Sequence, residues 1–182
     1  MLSNKAIVGG LSVATLVAIA STVVAQVAPF GGDKIAFPSN YAKDVLYQTL
    51  DRPDLKQFRE LYTSAAAVEA AKKGQPMPDG TTVTVVQYKA KLGPDGNPEK
   101  DGAGRFIKTD EIVGYAVMEK RAGWGTTIPE NIRNGTWEYQ SFKPDKSVNE
   151  KANLKGCYEC HQEKVGAKKD WLFSYDAMAA SK

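Results

Sequence analysis

The 182-residue chain has one histidine and two cysteines. A single imidazole excludes every metal centre that takes two histidines from this chain. Two cysteines exclude the multi-disulfide framework that staples small secreted domains, and a chain of this length with 42% hydrophobic residues can bury a core without one. Charge of one sign is also scarce. The formal net charge is +3, part of it from Lys5 at the extreme N-terminus, so the remainder is nearly neutral and offers no basic patch for nucleic acid. After residue 25 no run is apolar enough to span a bilayer. There is no internal repeat and no sign of a second domain.

The N-terminus does carry a long uncharged stretch. Lys5 gives it a positive start, "AIVGGLSVATLVAIASTVVA" follows, and Val23 and Ala25 stand where a signal peptidase takes small residues. Residues 1–25 therefore read as a secretory signal and place the protein in the periplasm, with membrane anchoring by residues 6–25 as the alternative. Residues 26–36 read as an irregular lead-in, and residues 37–182 as a single domain.

Within that domain the turn residues separate mostly strand-like segments. "YAKDVLYQTL" and "LKQFRELYTS" are expected to pair across the turn "DRPD". Ser64 caps a short helix, "AAAVEAAKK", which Gly74 closes. "TTVTVVQYKAKL" is the clearest strand, with Val83 and Val85 on one face and Thr84, Val86 and Tyr88 on the other. "GPDGNPEKDGAG" is a turn-rich excursion. "RFIKTDEIVGYAVMEKR" then gives one or two strands, with a bend or bulge at Gly114, and "TWEYQSF" gives another. Ser147 and Glu150 have capping-box spacing, which predicts a helix beginning in "VNEKANLKGCYECHQEK". "DWLFSYDAMAA" is expected to pack over whatever that segment holds. The fold class is α+β: a mainly antiparallel β-sheet with a few short helices and a C-terminal haem-binding motif.

That motif is "CYECH", residues 157 to 161, which contains every cysteine and histidine of the chain. Cys-x-x-Cys-His is the attachment signature of c-type haem. Two thiols, Cys157 and Cys160, bond the two vinyl groups, and the adjacent His161 is the axial ligand of the haem iron. A thioredoxin-like pair belongs after a parallel strand, which is not expected here. A zinc site would lack a fourth sulfur or nitrogen ligand, and a plain disulfide leaves His161 unexplained. One covalent haem c is the expected cofactor. A second histidine ligand being impossible, the sixth position falls to methionine, lysine, water or nothing. Met77, in a loop, is the methionine expected to suit electron transfer, and Met118 and Met178 are the others beyond the signal. The paucity of such ligands favours an open iron. Tyr88, Trp124, Trp137 and Phe142 are aromatics that can line a pocket or simply fill the core.

Beyond the motif, "FPSNY", "PMPDGTTVTVVQY", "GRFIKTDEIVGYAVMEK", "NGTWEYQSF" and "CYECH" followed by "DWLFSY" resemble the cytochrome P-460 family, which includes the cytochromes c′-beta. The resemblance implies a monohaem, mainly β protein, commonly a homodimer, with five-coordinate iron. In one branch a strand lysine is bonded to the haem and hydroxylamine is oxidised. In the other that bond is absent and nitric oxide or a similar diatomic binds. The resemblance places the lysine at Val85 or Val86 and a pocket carboxylate near Ala116, where Glu119 is the nearest glutamate. Lys89 and Lys91 are the nearby lysines, and Lys89 is the crosslink candidate. The expected function is binding of nitric oxide or a related small nitrogen oxide, with a possible redox partner protein. A hydroxylamine-oxidising enzyme and a Met-ligated electron carrier are the alternatives, so whether the protein is an enzyme stays open.

Overall fold

The computed structural model describes Phe30 and residues 35–182. The signal segment 1–25, and with it the anchor reading of residues 6–25, lies outside the described residues. Among those described, no helix is long and apolar enough to cross a membrane.

Five strands form one antiparallel sheet in sequence order: β1 (Val45–Arg52), β2 (Gln57–Thr63), β3 (Thr82–Ala90), β4 (Lys108–Lys120) and β5 (Trp137–Phe142). Turn chemistry sets this order, because each strand is followed by a connection that returns the chain beside it. The first return is the short Pro53–Leu55 turn. The second passes through α1 (Ala65–Lys72), where the Ser64 hydroxyl accepts from the Ala67 N–H as expected of a cap. "RFIKTDEIVGYAVMEKR" contributes a single long strand. Its irregularity lies at Gly114, where Gln87 pairs with Gly114 but Tyr88 pairs with Ile112, so Val113 is the extra residue of a bulge.

The C-terminal part departs from the capping-box reading. Ser147 and Glu150 begin no helix: the Ser147 N–H and hydroxyl turn back onto Asp145 instead. The helix α2 (Leu154–Lys164) starts later, where the Asn153 side chain accepts from the Gly156 N–H. "CYECH" therefore lies inside a helix rather than at its edge. A final short helix, α3 (Tyr175–Ala179), packs against α1.

Alternation on the strands gives the sheet two different faces. Val86, Tyr115, Val117 and Phe142 point to one side and form a compact layer under Ile35 of the lead-in, with Phe37 and Tyr41 packed against it. Leu61, Val83, Met118 and Tyr139 point to the other, toward α1, α2 and α3. The β3 parity expected from sequence is the one observed. Val86 is 0% exposed while Val85 is only partly buried, so their truncation should differ. Val86→Ala should lower stability by about 2 kcal/mol and Val85→Ala by clearly less, read from denaturant midpoints; the reverse ranking would contradict the assigned faces.

Candidate functional site

The α2-side face of the sheet and the helix itself leave a cavity of about 730 Å³ between them, a size typical of a cofactor site. Register explains its sheet wall. Gln48, Leu61, Val85, Ala116 and Ser141 are consecutive cross-strand partners, one from each strand, and all five line the cavity. The neighbouring row, Leu50, Arg59 and Gln87, extends the wall toward the β1–β2 turn.

The opposite wall follows from helix geometry. Cys157, Cys160 and His161 stand at i, i+3 and i+4, which places them on one face of α2, and all three line the cavity. Tyr158, one residue on from Cys157, turns away and is fully buried against Tyr139, with ring centroids 4.6 Å apart. Both cysteines are unpaired thiols. Burial, and after it the neighbouring Cys160, raises the Cys157 pKa, which disfavours a thiolate of the kind redox-active pairs use.

His161 is held at one nitrogen. Its Nδ1 lies 2.6 Å from the Trp171 carbonyl oxygen. A carbonyl only accepts, so Nδ1 carries the proton and the lone pair is on Nε2. Burial lowers the pKa of the ring, with the Trp171 carbonyl opposing it, so the imidazole is neutral at neutral pH and ready to ligate. The rings of Tyr139 and Phe173 pack edge-on at 4.9 and 4.8 Å and fix its plane.

Behind these groups sits a buried amide. Asn134 is 0% exposed; its carbonyl accepts from the Tyr139 hydroxyl at 2.6 Å, and its NH₂ donates to the Ile132 and Tyr158 carbonyls and to Gln162. One side chain thus ties β5 to α2.

The wall is mostly apolar, with a cationic end. Arg59 donates twice to the Gln57 side-chain oxygen and has no ion-pair partner among the described residues. Burial, and then the adjacent Arg52, pulls its pKa down to about 10. Arg52 also lines the cavity and pairs with Asp54 at 2.7 Å. Gln48 Oε1 is buried without a hydrogen-bond partner among the described residues. A neutral histidine, two thiols and a guanidinium without an ion-pair partner among the described residues, set around an apolar hollow, suit an apolar ring system that carries a metal and carboxylates.

The sequence-predicted residues divide. Cys157, Cys160 and His161 converge on the cavity. Lys89 is exposed at the strand end and pairs with Glu111 at 3.1 Å, while Lys91 pairs with Glu99 at 2.6 Å; among the described residues no lysine lines the cavity. Glu119 is buried outside it and pairs with Arg121. Met77 and Met178 are core residues away from the cavity, whereas Met118 lines it. Met118 faces Tyr139 across β4 and β5, and so sits at the His161 end. Tyr88, Trp124 and Phe142 belong to the layer on the other side of the sheet, and Trp137 is buried beyond the cavity's end. Tyr139 and Phe173 are the aromatics that do line it. Sequence reading missed Arg59, Tyr139 and Phe173; alternation from Leu61, which shares a cross-strand row with Val85, would have flagged Arg59.

The model of the family described as Cytochrome P460 matches residues 38–174. No curated protein matches the chain.

Replacing Asn134 with alanine should cost about 2–4 kcal/mol, because it strands the Tyr139 hydroxyl in the interior and leaves a hole where a fully buried amide stood. Equilibrium denaturation measures this, and a loss below about 1 kcal/mol would contradict the assigned role.

Proposed function

The chain belongs to the cytochrome P460 family, a family of haem-binding cytochromes, and on that premise we propose that it is an exported monohaem c-type cytochrome whose haem binds nitric oxide or a related small nitrogen oxide. Cys157 and Cys160 would tether the haem and His161 would ligate its iron. Bound there, haem would supply an iron able to take up a small ligand. The observation that carries this reading is the central row of the sheet wall: the family resemblance expects a lysine at Val85 or Val86 and a carboxylate near Ala116, and of these Val85 and Ala116 pair directly and line the cavity while Val86 faces the other layer.

The residues' tasks follow from their chemistry. His161 offers Nε2 because the Trp171 carbonyl occupies the proton on Nδ1. Leu61, Val85 and Ala116 keep the central row of the facing wall free of titratable groups, so a ligand that binds without proton transfer is favoured over a substrate that must be deprotonated. Arg59 and Arg52 suit the haem carboxylates at the cavity's cationic end. Met77 being buried elsewhere, axial methionine ligation through that residue is disfavoured.

Hydroxylamine oxidation also fits the family, but a haem-bonded lysine would have to come from outside the cavity lining. Two measurements on the purified protein separate these readings. The intact mass should equal the processed chain plus one haem, without the two-hydrogen deficit of a further crosslink. Dithionite reduction followed by nitric oxide should shift the Soret band, and an unchanged spectrum would sink the proposal.

A further inference from the structure

We propose that Asp170 is a positioning residue for the axial ligand: it locks the Trp171 carbonyl against His161 Nδ1 and thereby sets the donor strength of the imidazole. This rests on the reading of His161 as the iron ligand.

The inference begins from the backbone. Asp170 and Trp171 have φ values of +48° and +55°, successive left-handed conformations at two residues that are not glycine. Side-chain-bearing residues adopt that region in only a few per cent of cases, and such conformations persist where the surroundings over-determine them. The double reversal has a direct consequence: it turns the chain so that the Trp171 carbonyl oxygen comes 2.6 Å from His161 Nδ1.

What over-determines it is the Asp170 carboxylate, which is almost wholly buried with a side chain 7% exposed. Its Oδ2 accepts from Lys120 Nζ at 2.7 Å and from the Met77 N–H at 2.8 Å, and its Oδ1 accepts from the Trp137 indole N–H at 3.2 Å. The three donors come from three segments: the last residue of β4, the first of β5, and the loop after α1. Lys120 and Trp137 are themselves cross-strand partners. The loop before α3 is therefore bolted to the end of the sheet one residue ahead of the carbonyl that contacts His161.

The next residue is pinned independently. The Trp171 indole N–H donates to Gln162 Oε1 at 2.5 Å, and its ring lies on Gly135, where a Cβ would come within 2.7 Å of it. Carboxylate and indole together leave the intervening carbonyl little freedom. A partner on the second nitrogen of a ligating histidine fixes the ring's tautomer and orientation and raises its basicity; here that partner's position is set by a carboxylate that touches neither the ring nor the cavity.

The test uses the full holoprotein and the iron–histidine stretching band of the ferrous, five-coordinate state in resonance Raman, together with the reduction potential. Asp170→Asn keeps the shape but removes the charge that holds Lys120. It should move the band to lower frequency or split it and raise the potential, with haem content and circular dichroism unchanged, while Asp170→Glu should return both toward wild type. A folded, haem-loaded Asp170→Asn protein with the wild-type band and potential overturns the proposal. If that variant does not accumulate, Lys120→Met, which keeps Asp170 and its two N–H donors, is read the same way: a shifted band supports the proposal and an unshifted one overturns it. Absence of an iron–histidine band from the wild-type protein would instead overturn the assignment of His161, and this proposal with it.

Discussion

Side chains alternate across a β-sheet, and every feature of the site depends on how that alternation is spent. One face of the five strands carries Val86, Tyr115, Val117 and Phe142 into a closed layer under the lead-in. The other carries Leu61, Val85 and Ala116 to the cavity. A slip of one residue in β3 would exchange these sets, put Tyr88 where Gln87 stands, and close the hollow. Register is thus the quantity that turns a string of valines and threonines into one wall of a binding site.

The facing wall obeys a second periodicity. An α-helix brings residues three and four apart to one face, so two cysteines and a histidine clustered in five residues converge without any long-range contact. Long-range contacts are needed to aim them. His161 depends on a carbonyl ten residues later, Tyr139 on Asn134, and Asn134 on the helix that carries the motif. Tyr139, Asn134, Gln162 and Trp171 behind the cavity are bonded to one another, which makes the arrangement stiff and any single deletion in it costly. Among the described residues the cavity is left with a Gln48 oxygen that has no hydrogen-bond partner and an Arg59 guanidinium that has no ion-pair partner.

How much of this could be read from sequence follows from which interactions are local. The Ser64 cap, the β3 faces and the spacing of "CYECH" depend on residues within a turn or two of one another, and each was legible. The start of α2 was not, because Ser147 and Glu150 mimic a capping box while the Ser147 hydroxyl is already taken by Asp145. Of the four aromatics left open between pocket and core, all belong to the core or pack against it, and Tyr139 and Phe173, which line the cavity, were not legible because hydrophobicity does not distinguish the cavity from the layers beyond the ends of β5. Trp137 and Tyr139 share a parity, yet only Tyr139 reaches the cavity. Asp170 carried no signal at all: an aspartate between a lysine and a tryptophan near the C-terminus reads as surface, and its burial comes from partners 33, 50 and 93 residues away.

All of this turns on the cavity between sheet and helix holding a haem anchored through α2. Proteolysis after Lys155 and Lys164 releases the segment from Gly156 to Lys164, which contains both cysteines and the histidine, and its mass reads the anchorage directly. The expected result is a single species carrying one haem on Cys157 and Cys160. The same segment recovered from haem-loaded protein with two free thiols would contradict it.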